Sequence, residues 1–366
     1  MKKIVLACFL TGFSLSCTSN AEQKSNGNIP LDSIKTAQTS NFSTLPDTIT
    51  IAMTGDIMMG TTYPKTSLPP NDGKDLFNDT KTIISNADLA VGNLEGAICE
   101  GGTTTKEGPN SYAFRTPVKY GINLKDAGYD FLSMANNHAN DFGTYGIESS
   151  EKVLDEQGIK YAGVDGRTEY AIIERKGLKF GICAFGHNSY TIQHTDTSKV
   201  ISLLKKLRPL CDIMIVSFHG GAEGSAKTHL PHETEIFLGE NRGNLREFTH
   251  LCIDNGADVV YGHGPHVVRC IETYKGKFIA YSLGNFCTPY GMLLTGGLGY
   301  APVVEIKING KGNFLSGKIN SFIQKRGIGP RKDPTNSAAK EIKALTLSDI
   351  ENPAIIISDK GEISVK

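Results

Sequence analysis

Short apolar runs recur along this chain, each closed by a polar or glycine-rich turn, and stretches of helical spacing separate many of them. Residues 50–54 form a β-rich run that leads at once into Gly55 and Asp56. Residues 88–92 form a second, leading into Asn93, Leu94, Glu95 and Gly96. Val118 and Ile122 predict a helix ahead of a third run at 131–134, which ends in Ala135, Asn136, Asn137 and His138. A helix is predicted over 146–157 with its stop at Gly158, then strands at 160–163 and 179–185. Ser198 predicts the cap of a helix that carries Val200, Leu204 and Leu207 on one face and ends before Pro209. The near-continuous apolar run 213–218 delivers His219. Leu245, Phe248 and Cys252 recur at helical spacing before a stop at Asn255 and Gly256. Residues 257–261 then run into Gly262, His263, Gly264, Pro265 and His266. Beyond them, runs at 267–273, 277–282, 301–308 and 314–322 read as consecutive antiparallel strands.

The amino-terminal residues break this pattern. Lys2 and Lys3 precede a short apolar stretch from Ile4 to Leu15, and Ser14, Leu15 and Ser16 then lead into Cys17. Residues 1–16 therefore read as a lipoprotein signal peptide, with Cys17 as the lipidated residue of an exported, membrane-anchored protein facing outside the cytoplasm. An ordinary secretory signal is the alternative. Residues 17–47, rich in Ser, Thr, Asn and Gln, bury too little apolar surface to order themselves and read as a flexible polar tether. The fold is expected to begin near Ile49.

Composition narrows the class. The chain has 366 residues, enough for a large core, with 40 glycines and no tryptophan, which suits a loop-rich α/β protein. Its 38 basic and 38 acidic side chains balance, and without residues 1–16 the balance is 36 to 38, a net charge of −2. That gives no electrostatic reason to bind nucleic acid. Beyond Cys8 and Cys17 there are six cysteines, with no CxxC pair, and they are expected as buried thiols acting as small hydrophobes.

Chemistry enters through where the polar residues fall. Asp56, Glu95, Asn137 with His138, His219, and His263 with His266 each follow the carboxyl end of an apolar run. In a sheet of such strands these ends gather at one crevice. Carboxylate, amide and imidazole together suit Mn²⁺, Fe²⁺ or Zn²⁺, as one or two ions that would clamp a phosphoryl group and activate water. Singly, each signal also reads as a turn or a hydrogen-bonded structural residue. Their repetition at five strand ends gives them weight.

Several blocks resemble the CapA family of poly-γ-glutamate capsule synthesis proteins, a branch of the calcineurin-like metallophosphatase superfamily. They are Thr54-Gly55-Asp56 with Met58-Met59-Gly60, Gly92-Asn93-Leu94-Glu95, Tyr112 to Pro117, Ser133 to Gly143, His219 to Glu223, Gly256 to Val267, and Ser282 to Phe286. The resemblance implies a four-layer α/β/β/α sandwich, metallo-dependent phosphatase-like, over residues 48–325, with 326–366 as a C-terminal extension of short strands. Residue by residue, it implies that Asp56, Glu95, Asn137, His219, His263 and His266 are metal ligands. His138 is then the imidazole that protonates a leaving group, with Asp141 orienting it or capping a turn, and Glu223 is a further crevice carboxylate.

Three departures from the phosphatase pattern bear on this. Met58 stands at the usual second ligand, Glu95 replaces an aspartate, and Gly264 takes the first position of the usual His-x-His. Arg115 reads either as a binder of an anionic substrate group or as a structural ion pair, and Asn285 as a substrate contact or a turn residue. His187, His229, His232 and His250 read as surface or structural residues, and the glycine-rich stretch 290–300 as a mobile lid.

The functional expectation is a CapA-like lipoprotein acting in the synthesis or export of a poly-γ-glutamate-type surface polymer, as a metal-dependent hydrolase of a phosphoester. The alternatives are a non-catalytic subunit that holds an anionic polymer or a membrane-bound polymer synthase, and a phosphodiesterase unrelated to capsule.

Overall fold

The computed structural model describes residues 48–366, apart from 105, 107, 109 and 110. Residues 1–47, with the expected signal, Cys17 and the tether, lie outside the described residues. Two sheets carry the fold. In the first, the strand order is Ile355–Ile357, Glu362–Val365, Phe314–Asn320, Val303–Ile308, Ile49–Ile57, Leu89–Leu94, Phe131–Ser133 and Lys160–Ala162. The short strand Asn285–Cys287 joins it, parallel to the carboxyl end of Ile49–Ile57. The second sheet runs Ile271–Tyr274, Lys277–Ala280, Val259–His263, Ile213–His219, Leu178–Phe185 and Tyr170–Arg175.

The period of two along each strand assigns its side chains to layers. Ile49, Ile51 and Met53 enter one core with Phe180, Ile182, Ile213, Ile215, Val259, Tyr261 and Phe278, so the two sheets face each other. Ala52 and Ile57 turn the other way, into a core with Leu124 and Leu154 from the helices Gly121–Ala127 and Gly143–Gln157. Val216 and Val260 of the second sheet meet Val200, Leu204, Phe248 and Cys252 of the helices Thr197–Leu207 and Leu245–Asp254. This is the four-layer α/β/β/α sandwich that the resemblance implies. The central strands are buried on both faces, which is why they read as near-continuous apolar runs.

Some elements differ from the sequence reading. The helix Thr197–Leu207 is capped by Asp196, whose carboxylate accepts from the Lys199 amide, and not by Ser198. The late strands do not form one antiparallel series. Ile271–Tyr274 and Lys277–Ala280 make a hairpin in the second sheet, where Lys277–Ala280 also pairs in parallel with Val259–His263. The chain then crosses to the first sheet at Asn285–Cys287. Apolar alternation reports burial on a face but not which sheet receives the strand. Residues 326–366 carry the helix Ser337–Asp349 besides the strands Gly329–Lys332, Ile355–Ile357 and Glu362–Val365. The six cysteines Cys99, Cys183, Cys211, Cys252, Cys270 and Cys287 are free, and all but Cys211 are buried.

Candidate metal centre

Strands from both sheets end at the same place. Asp56 lies near the carboxyl end of Ile49–Ile57, and Asn285 is its register partner on the adjoining strand. This junction depends on Gly55, because a Cβ there would stand 1.9 Å from the Gly284 carbonyl that accepts the Asp56 amide. His219 and His263 are paired neighbours at the ends of their strands in the second sheet. His266 follows in a left-handed conformation, φ 59°, a strained position for a non-glycine residue and one often found at functional sites.

The two carboxylates are fully buried and share one amide. Asn93 Nδ2 donates to Asp56 Oδ1 at 2.9 Å and to Glu95 Oε2 at 2.5 Å. Asn136 Nδ2 donates in turn to Asn93 Oδ1 at 2.9 Å and to the Leu94 carbonyl. Asp56 Oδ2 lies 3.0 Å from His266 Nδ1, and Oδ1 lies 3.1 Å from His263 Nδ1, although the His263 ring is not aligned for a hydrogen bond. Glu95 Oε1 lies 3.3 Å from His219 Nε2. Burial alone would raise the Asp56 carboxyl, but His263 and His266 outweigh it and hold it far below the usual carboxylate range. Burial and the neighbouring Asp56 charge push Glu95 up to about 7, against His266, His138 and Asn93. Burial also opposes the charged form of His266, yet Asp56, Glu95 and Glu223 together raise it to about 9. Burial holds His219 well below the usual imidazole value, and the Asp56 and Glu223 charges offset this only in part.

His138 forms a second cluster beside the first. Its Nδ1 is 2.9 Å from Asp141 Oδ2, which also accepts the Phe114 amide at 2.6 Å, and the Phe114 ring packs against the imidazole at 4.5 Å between centroids. Asp141 is thus placed to orient His138. Lys106, which the sequence reading did not single out, places Nζ 2.5 Å from Asp141 Oδ1 and 2.8 Å from the Asn137 carbonyl. Its loop carries no period or motif that would have marked it.

The remaining candidates divide. Glu223 Oε1 pairs with Arg242 Nη1 at 2.9 Å and its Oε2 stands 4.0 Å from His266 Nε2, so it borders the crevice. Burial works against the charged Glu223 carboxylate, but His266 and Arg242 hold its pKa below the usual value. Asn285 donates to the His266 and Leu298 carbonyls. Arg115 meets no carboxylate: it donates to Thr62 Oγ1 and the Gly102 carbonyl and stacks over Tyr63 and Phe142. The structural ion pair entertained for it is therefore absent among the described residues. His187 is not a surface residue; it is buried, its ring stacks on His219 at 5.6 Å, and it lines a cavity of about 310 Å³ with Tyr190, Gln193 and Glu240. His229 is an exposed partner of Asp349, His250 stacks on Tyr274, and His232 is exposed. In the stretch 290–300, Gly291 packs against Phe114 and Met58.

Does this set suit a divalent ion? Asn137 Oδ1, His219 Nδ1, Asn285 Oδ1 and both nitrogens of His263 are buried without hydrogen-bond partners. Orphaned donors of this kind are rare in folded proteins, and an ion supplies what they lack. Among the described residues, however, no three His, Cys, Asp or Glu side chains stand arranged to hold a metal ion. The carboxylates are drawn onto Asn93 and the imidazoles instead of around a void. The chemistry of the donors fits a single ion, and Met58, buried beside Phe114, adds only a thioether. Gly264 cannot be replaced by a ligand: at φ 117° a Cβ would lie 2.4 Å from the Gly220 carbonyl.

The family model of the bacterial capsule synthesis protein PGA_cap matches residues 50–290. The PGA biosynthesis protein CapA of Bacillus subtilis is 27% identical over 283 residues, which cover 73% of this chain and 70% of that protein. The capsule biosynthesis protein CapA of Bacillus anthracis is 25% identical over 267 residues, covering 68% and 61%. Among solved structures, the calcineurin-like phosphoesterase YfkN from Bacillus subtilis aligns with a TM-score of 0.42 at 14% identity, over 75% of this chain and 91% of that one. The 5'-nucleotidase precursor from Thermus thermophilus aligns with a TM-score of 0.43 at 12% identity, over 82% and 58%.

Proposed function

The chain belongs to the bacterial capsule synthesis protein family, and from that premise we propose that it serves the synthesis or export of a poly-γ-glutamate-type polymer as a metal-dependent phosphoesterase. The observation that carries the catalytic part is the set of orphaned buried donors, Asn137 Oδ1, His219 Nδ1 and His263, beside an oriented His138. Asp56, Glu95, Asn137, His219, His263 and His266 would hold a divalent ion, Mn²⁺, Fe²⁺ or Zn²⁺, which would supply Lewis acidity toward a phosphoryl oxygen and acidify water. The residues themselves do the rest. His138 keeps Nδ1 on Asp141 and turns Nε2 to the leaving oxygen, where it delivers the proton. Arg115, without a carboxylate partner among the described residues, offers its guanidinium to an anionic part of the substrate. The cavity beside His187 gives that substrate room.

A second reading has its own support. Asn93 already bridges Asp56 and Glu95 with a neutral amide, which suits a non-catalytic subunit that holds an anionic polymer or a membrane-bound synthase. Elemental analysis of the purified mature domain, with turnover measured on phosphoesters and γ-glutamyl amides, separates the two. About one equivalent of metal with phosphoester turnover is expected; no metal and no turnover, in a protein that still supports polymer production in cells, would leave the binding role.

We also propose that the protein is anchored outside the cytoplasm through a lipid on Cys17, the cysteine that closes the amino-terminal apolar stretch. Cys17→Ser is expected to move it from the membrane to the soluble fraction and to remove the lipid mass. An unchanged distribution would rule the anchor out.

A further inference from the structure

Lys106 stands out among the groups at the crevice because its ammonium faces the protein and not the open site. It is 2.5 Å from Asp141 Oδ1, 2.8 Å from the Asn137 carbonyl, 3.2 Å from the Tyr112 carbonyl and 3.2 Å from His138 Nδ1. Asp141 is wholly buried, while Lys106 keeps part of its stem in solvent. One carboxylate oxygen, Oδ2, is taken up by the Phe114 amide and His138 Nδ1. The other, Oδ1, has no aligned hydrogen bond among the described residues and is met there by the lysine charge.

We propose that Lys106 is a positioning residue: it holds the Asp141 carboxylate and the Asn137–His138 peptide in place, and so keeps a proton on His138 Nδ1 toward Asp141 and aims Nε2, which carries the donated proton when the ring is protonated on both nitrogens, at the substrate. The inference rests on the reading of His138 as proton donor to the leaving group.

A carboxylate can only accept, so a 2.9 Å approach of Nδ1 to Asp141 Oδ2 leaves the proton on Nδ1. An ammonium also has no lone pair, and its three N–H bonds have three oxygens within reach, so it does not need Nδ1 as an acceptor. Among the described residues, Asp141 meets no cation but Lys106 and His138, so without Lys106 its buried charge is costly. The carboxylate then turns toward water or takes a proton, and in either case Nδ1 loses its fixed partner. Outer partners of this kind set the tautomer and aim of a functional imidazole. Because its donors are spent on protein oxygens, Lys106 does not bind the substrate anion. That distinguishes it from Arg115, whose guanidinium meets a hydroxyl, a carbonyl and two aromatic rings, with no carboxylate among the described residues.

The test uses the full chain with ¹⁵N-labelled histidine and long-range ¹H–¹⁵N spectra. In its neutral form, wild-type His138 is expected to carry its proton on Nδ1. Lys106→Met is expected to show ring nitrogens averaged between tautomers, with the amide spectrum unchanged away from the crevice. Lys106→Gln, which removes the charge but keeps a donor, is expected to do the same and serves if the methionine variant does not fold. A neutral wild-type His138 with its proton on Nε2 instead of Nδ1, or variants with His138 signals identical to wild type, would overturn the proposal. With bis(p-nitrophenyl) phosphate as probe, Lys106→Met should lower kcat about 10–100-fold at unchanged KM, whereas Arg115→Met should raise KM. If the wild type does not turn over this or any phosphoester, the phosphoesterase reading fails, while the tautomer measurement still decides the role of Lys106.

Discussion

Asp258 and His263 stand at opposite ends of one stretch of chain, just before and at the close of the strand Val259–His263, and their surroundings differ in kind. Asp258 is completely satisfied. Its Oδ2 accepts from Arg208 Nη1 and the Met214 amide, both at 2.8 Å, and its Oδ1 accepts from Lys277 Nζ at 2.7 Å. His263, equally buried, has no aligned hydrogen bond on either nitrogen. The amino-terminal edge of the sheet uses its polar groups to close the fold. At the carboxyl-terminal edge the fold leaves His263, His219 and Asn137 with unspent donors, which a ligand can use.

The contrast can be broken by mutation, and the largest effect is expected at the crevice. His219→Ala should abolish metal uptake and phosphoester turnover while the urea midpoint moves less than for a change at Asp258; an active variant would remove His219 from the site. His138→Ala should keep the metal and lose about 10²–10⁴-fold in kcat, the usual worth of a general acid, and loss of the metal as well would contradict its separate role. At the other edge, Asp258→Ala should cost about 3 kcal/mol by urea denaturation, the low end for a broken buried ion pair because Arg208 and Lys277 keep some access to water. Retained metal binding in that variant would sharpen the division between the two edges, and loss of both would blur it.

The smallest effect is a pH dependence away from the crevice. Glu272 accepts from His250 at 2.8 Å and from the Tyr281 hydroxyl. Burial opposes its charge, but these bonds outweigh burial and hold its pKa below the usual glutamate value. The stability this contributes is present above the unfolded-state value, about 4.3, and is lost as pH falls through the folded-state value. Glu272→Gln should therefore be less stable at pH 7 and show a shallower loss of stability below about pH 4.3. A variant with the wild-type acid limb would show that Glu272 does not supply it.

Much of the site was legible because strand ends announce themselves. Gly55-Asp56, Asn136-Asn137-His138 and His263 to His266 follow apolar runs, and each of those residues lies at the crevice edge. Three things were not legible. His187 read as a surface or structural residue, since nothing local indicates that its ring stacks on His219. Lys106 and Arg242 lie in segments with no period, and their meaning comes from partners far along the chain. The ambiguity at Arg115 was resolved only by finding that its neighbours are a hydroxyl, a carbonyl and two aromatic rings.

By itself the sequence determined the central strands and their helices, the polar strand ends and the family, because periodicity, turn glycines and motif blocks are properties of neighbouring residues. It could not determine how the donors are spent. Asp56 and His266 are 210 residues apart, and only the packing of two sheets brings them to 3.0 Å. That same packing lets Asn93 bridge the two carboxylates, leaves Asn137 and His263 unpartnered, and forbids a side chain at position 264, where two backbones touch. Burial, which withdraws water as the default partner, turns each of these contacts into chemistry, and burial is settled only when the layers close.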